Sequence, residues 1–253
     1  MNKKIIMSLS VIAAVSAAVV GGTGAFFSDT ETSTGNTFTA GAIDLKVDSQ
    51  QRYNNAICVE GEWALADPQA GPVANQYPVI GDACGGTWDE VDLTNEKFFN
   101  FLDIKPGDNG SNSISLHVIN NDAYMCATVS GLVDADNTLT EPEDADVDEV
   151  DNLFSGELKE NMVVTIWKDL NGNNEIDGLE VPLYTGAAQE GTWPLYTPLT
   201  GALDGGDVAW LGVKWDLPLA TGNEVQTDSV VADISFKVEQ ARNNPGFTCN
   251  PAQ

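Results

Sequence analysis

VVADISFKVE, residues 230 to 239, alternates Val230, Ala232, Ile234, Phe236 and Val238 with Val231, Asp233, Ser235, Lys237 and Glu239. Successive side chains of an extended chain point to opposite faces, so a period of two marks a strand with one dry and one wet side. The same alternation recurs in Ile43, Leu45 and Val47 against Asp44, Lys46 and Asp48, and in Ile114, Leu116 and Val118 against Ser113, Ser115 and His117. MVVTIWKD (162–169) and DVAWLGVKWDL (207–217) are apolar on both faces, which suits strands in the middle of a sandwich. Turn-forming clusters separate these runs: KPGDNGSN (105–112), NGNN (171–174) and DGGD (204–207). Helical spacing is scarce, with one short helix expected near VDEVDNLFSGELKENM on Val147, Val150, Leu153, Phe154 and Leu158. The expected fold is all-β: two packed antiparallel sheets forming one domain with loop insertions.

The amino terminus adds a different signal. Lys3 and Lys4 precede an apolar run from Ile5 to Val20, and small residues follow at Gly21, Gly22, Gly24 and Ala25, the pattern of a secretory signal peptide. A spanning helix needs about 20 apolar residues, and Ser8, Ser10 and Ser16 interrupt this shorter run, so no permanent membrane span is expected. The domain is then expected over residues 26–253. The formal net charge is −27, and loss of the first 25 residues removes two lysines and no acid. Such a chain repels nucleic acid and attracts cations. Residues 134–151 concentrate this charge in DADNTLTEPEDADVDEVD, read most simply as a solvated, mobile insertion, with a weak cation site as the alternative.

Export places Cys58, Cys84, Cys126 and Cys249 where disulfides persist. Four cysteines allow three pairings. Cys58 and Cys84 bracket a segment rich in Gly, Pro and Ala, while Cys126 follows a strand and Cys249 closes the tail, so 58 with 84 and 126 with 249 is the expected set.

Residues 169–180, DLNGNNEIDGLE, carry the sharpest local motif. Asp169, Asn171, Asn173, Asp177 and Glu180 stand at the first, third, fifth, ninth and twelfth places, with the carbonyl of Glu175 at the seventh. That is the ligand order of a calcium loop, in which alternate residues of a tight turn converge oxygens on one hard cation. The sixth place is Asn174 instead of glycine, and the flanks look like strands, so a Ca2+-bearing hairpin is expected here, not an EF-hand. An acidic, Asn-rich turn without metal is the other reading.

Enzymatic constellations do not emerge. No His-Glu-x-x-His pair, Gly-x-Ser-x-Gly elbow or phosphate-binding glycine loop occurs, and the sole histidine, His117, falls on the polar side of its strand. Trp63, Trp88, Trp167, Trp193, Trp210 and Trp215 could stack on sugars, but aromatic residues in or beside sandwich strands are more often core.

GGTGAFFSDTETSTGNTFTAGAIDLKVD, residues 21–48, resembles the start of the TasA and camelysin family, secreted proteins trimmed by a SipW-type signal peptidase. The matching features are the Gly-rich signal end, the Ala25-Phe26 junction, the acidic and Thr-rich segment 28–37, and the strand motif Phe38, Gly41, Ile43 and Leu45. DIKPGDNGSNSISLHVINNDAYMCATVS (103–130) and VVADISFKVEQARNNPGFTC (230–249) are similar to later family segments. The resemblance implies cleavage between Ala25 and Phe26 and a jelly-roll β-sandwich. It also implies head-to-tail self-assembly into extracellular or biofilm-matrix fibres, with Phe26, Phe27 and Phe38 on a donor strand lent to the next subunit. Cell-surface or matrix partners fit that picture. A monomeric secreted module is the alternative, and a camelysin-like metallopeptidase is a third reading for which the residues offer no zinc motif.

Overall fold

The computed structural model describes residues 43–69, 71, 77–146 and 156–249, all within the compact unit Ile43–Gln253. Ala25, Phe26, Phe27 and Phe38 lie outside the described residues, as do residues 147–155 of the expected helix. The last part of that helix forms one turn, Leu158–Asn161.

Among the described residues the chain forms β1 (Asp44–Tyr53), β2 (Ala56–Val59), β3 (Glu62–Leu65), β4 (Trp88–Val91), β5 (Asn109–Ile119) and β6 (Ala123–Ala135). Two helical turns follow, α1 (Glu141–Asp144) and α2 (Leu158–Asn161), then β7 (Val163–Asp169), β8 (Pro182–Ala187), β9 (Gly191–Tyr196), β10 (Val208–Asp216) and β11 (Ser229–Gln240). The larger sheet runs β3-β2-β1-β5-β10-β7-β8, with β4 also paired to β1, and the smaller runs β11-β6-β9. Every ladder is antiparallel. The doubly apolar segments become β7 and β10, both interior to the larger sheet, while the alternating 230–239 run becomes the edge strand β11.

Both sheets turn their apolar faces to one core. Val47, Ile114, Leu116, Val118, Ile166 and Leu211 from the larger sheet meet Ala123, Met125, Ala127, Trp193 and Leu195 from the smaller. A second cluster gathers Tyr53, Cys58, Trp63, Trp215 and Leu217. Ser49, Gln51 and Asn112 are buried on the same face of the larger sheet, which would be costly without partners. Gln51 Nε2 donates to the Phe98 carbonyl at 3.0 Å, Asn112 donates to the same oxygen, and Ser49 Oγ donates to the Gly86 carbonyl at 2.9 Å. The amides thereby fix Phe98 against Trp88 and Phe236.

The expected turn at 105–112 is shorter than its composition suggests, because β5 already begins at Asn109. Asp108 closes it, accepting from the Lys105 N–H, the Tyr53 hydroxyl and the Asn54 amide. Gly107 supplies the positive φ of 95° the bend requires. A hairpin that the alternation does not announce joins β2 to β3 through Glu60 and Gly61, at φ 53° and 85°, the left-handed pair that matches strand twist.

Tryptophan indoles cover glycines across the larger sheet. Gly212 faces Trp167 in register, and Gly110 faces Trp215. A Cβ on Gly212 would meet the Trp167 ring at 2.1 Å, and Trp167 is only 1% exposed, with no room to yield. Gly212→Ala is therefore expected to cost about 3 kcal/mol, at the upper end of overpacking penalties. Denaturant unfolding would measure it against Gly85→Ala, where nothing lies within 4 Å and little change is expected.

Candidate functional site

Asp169 ends β7 with its carboxylate 1% exposed and turned back on its own loop. Oδ1 accepts from the N–H groups of Asn171 at 3.1 Å and Gly172 at 2.6 Å, and Oδ2 from Asn174 at 2.7 Å. Asn171 Oδ1 accepts from the Asn173 N–H, and Asn173 Oδ1 from that of Glu175, two successive side-chain turns. Asn173 Nδ2 donates to Asp177 at 2.8 Å, and Asn171 Nδ2 also faces that carboxylate. Glu180 closes the loop by accepting from the N–H groups of Leu170 and Asp177. Asn174 stands at φ 62° and donates to Ser111 Oγ. The six residues of the expected Ca2+ hairpin thus share one loop between β7 and β8, where backbone N–H groups engage Asp169 and Glu180.

A tighter carboxylate group lies elsewhere. Among the described residues, Asp136, Glu143 and Asp228 bring one oxygen each within 4.8 Å of one another, an arrangement that could hold a metal ion. Asp136 follows β6 directly and Asp228 precedes β11 directly, so the two flank the end of the ladder at its Ala135 and Ser229 pair. Glu143 comes from α1 and is fully buried. Its Oε2 accepts from the Thr140 N–H at 2.8 Å, a capping box that rolls the side chain inward. Asp228 Oδ2 accepts from the N–H groups of Glu157 and Leu158. Burial pushes the Asp228 carboxyl above the ordinary carboxylate range; those N–H bonds oppose the shift, and the charges of Glu143 and Asp136 reinforce it.

Within the first half of the acidic insertion most residues are exposed, as a solvated segment would be, but two acids are buried. Asp136 is 8% exposed and Glu143 0%. Sequence reading missed this because Asp228, the partner that draws both acids inward, is remote along the chain. The local signal that could have exposed it is Thr140 three residues before Glu143, a capping-box pair.

The structure joins Cys58 to Cys84 and Cys126 to Cys249. Trp63, Trp167, Trp193 and Trp215 are buried, so four of the six tryptophans are core and not a sugar platform. His117 Nε2 lies 2.9 Å from Asp48 and Nδ1 3.2 Å from Glu90, both on strands neighbouring in the sheet. No helix among the described residues is long and apolar enough to cross a membrane.

The smaller sheet has two edges among its described strands. β9 carries Pro194, which has no N–H to offer, whereas β11 runs twelve residues without proline and pairs only with β6. Its inward Ile234, Phe236 and Val238 pack on the core yet stay partly exposed.

Residues 1–57 match the model of the family described as camelysin metallo-endopeptidase. The camelysin match takes in the signal-like run, the Phe-containing segment and all of β1. No curated protein matches the chain. The family description implies a metal, and the residues present do not fit a catalytic zinc. Both ring nitrogens of the one histidine face carboxylates, and all four cysteines are in disulfides. The soft and borderline ligands zinc prefers are thus engaged elsewhere, and the buried carboxylates form a hard oxygen set.

Proposed function

We propose that this protein is a secreted structural subunit of extracellular or biofilm-matrix fibres. Each subunit completes the sandwich of the next with its amino-terminal strand, and the loop 169–180 takes up calcium. The carrying observation is the β11 edge: twelve residues with one ladder partner among those described, above a core face that Ile234, Phe236 and Val238 leave partly exposed. An unpaired edge of this kind is a template for an added strand. Residues 26–42 supply a candidate strand in Phe26, Phe27 and Phe38, and the camelysin match covers that segment. Signal cleavage between Ala25 and Phe26 would free it, so that export and assembly are coupled. Head-to-tail donation has no closing symmetry, hence filaments.

Electron microscopy of secreted material, with amino-terminal sequencing of the same sample, tests this reading. Filaments whose subunits begin at Phe26 are the expected result. Isolated globules would overturn it in favour of a monomeric secreted module whose strand returns to its own sheet.

A further inference from the structure

We propose that Asp136, Glu143 and Asp228 form a structural binding site for one calcium ion, separate from the loop 169–180 and independent of the fibre reading. Three carboxylates within 4.8 Å of one another would repel strongly in a poorly solvated place. Among the described residues, no lysine, arginine or histidine forms an ion pair with any of them. Asp136 Oδ1, Glu143 Oε1 and Asp228 Oδ1 are also buried without hydrogen-bond partners. Native interiors rarely leave such oxygens unsatisfied, and here each residue contributes one to the same cluster. Glu143, at 0% exposure, has its other oxygen fixed by the Thr140 N–H, and Asp228 has its other oxygen fixed by Glu157 and Leu158. For both of these side chains, one oxygen is engaged in folding the loops and one is left over.

The ligand set selects the ion. Calcium takes six to eight oxygens at about 2.3–2.6 Å in flexible geometry, whereas magnesium at about 2.1 Å demands a near-octahedral set and is usually held through only one or two carboxylates. Three carboxylates with water completing the shell suit the larger cation. Its position at the end of the β6 and β11 ladder would clip α1 and the first half of the acidic insertion to the start of β11. Asn137 already bridges the same junction, donating to the Thr227 carbonyl at 2.6 Å and to Ser229 Oγ at 3.1 Å.

The test uses the protein purified from its native source and the same chain with Glu143→Gln, Asp136→Asn or Asp177→Asn, all stripped with chelator. Calcium chloride is titrated by calorimetry, and melting is followed with and without calcium. At calcium about a hundredfold above Kd the unsubstituted protein should melt about 5–10 °C higher than in chelator. Glu143→Gln and Asp136→Asn should each lose one calcium equivalent and most of that rise. In chelator they should melt no lower than the parent, because one crowded charge is gone. Asp177→Asn, in the other loop, should keep the equivalent that the triad variants lose and weaken only the binding assigned to residues 169–180. Unchanged calcium stoichiometry in both triad variants, or a parent melting temperature indifferent to calcium, overturns the site. Should Glu143→Gln fail to fold, Asp136→Asn carries the same decision. Magnesium in place of calcium giving an equal rise overturns the choice of ion.

Discussion

Deleting residues 26–37 is expected to abolish filaments and leave folded single subunits. The deletion removes Phe26 and Phe27 and the polar stretch behind them, but nothing of the unit Ile43–Gln253, whose two sheets pack on their own core. In an extended donor, Phe26 and Phe38 are separated by an even number of residues and so face the same side, while Phe27 faces the other. Twelve residues of strand span roughly 40 Å, the length of β11 itself, so the donor has the reach to run along the whole edge. Burying one phenylalanine contributes about 1.5–3 kcal/mol, and the added ladder pairs backbone groups of β11 that have no strand partner among the described residues. Losing both contributions at every junction should shift the assembly from fibres to subunits at ordinary concentrations. Sedimentation and negative-stain microscopy would read the loss, and an unaltered melting temperature of the subunit would show that its own fold persists. Filaments of unchanged yield after the deletion would refute strand donation.

How far the sequence reveals this molecule depends on the range of each interaction. Strands β1, β5, β7, β10 and β11 are legible because alternation and apolar runs report the burial of each face locally. The β2 and β3 hairpin is not, since its four-residue strands owe their place to pairing with β1 and to Trp63 entering the second cluster. For the loop 169–180, spacing identifies the residues that converge on one turn. It does not show that Asp169 spends both oxygens on backbone N–H groups of that turn. The buried triad is the hardest case. Asp136 and Glu143 sit in a run whose composition reads as solvated, and only the return of the chain to Asp228 before β11 gives them a common interior. Composition reports the average environment of a segment, whereas a site forms from the few members that tertiary contacts single out.

Replacing Cys126 and Cys249 together by alanine is expected to cost about 5 kcal/mol, the largest single loss of stability anticipated in the domain. A crosslink stabilises chiefly by restricting the unfolded chain, and the restriction grows with the logarithm of the enclosed loop. The 126–249 bridge spans 123 residues against 26 for 58–84, so the chain-entropy estimate is about 5 kcal/mol for the first and about 3.5 kcal/mol for the second. Native contacts reinforce the difference. Met125 and Ala127 face the core, so Cys126 faces outward, yet it is 1% exposed, and the carboxyl-terminal tail is what the disulfide joins to it. Phe247 in that tail is buried and stacks on Tyr124 at 5.3 Å, with the Lys237 ammonium 5.2 Å from its ring. The Ala241 N–H donates to the Asp122 carbonyl, continuing the ladder as β11 ends. Without the bridge the tail would be held by Phe247 and a few hydrogen bonds, and its release would bare Tyr124 and the truncated side chain at position 126 on the outer face of the smaller sheet. Denaturant unfolding of the two double variants should therefore rank 126/249 below 58/84. The reverse order would mean that native strain or residual unfolded structure, and not loop closure, governs these bridges.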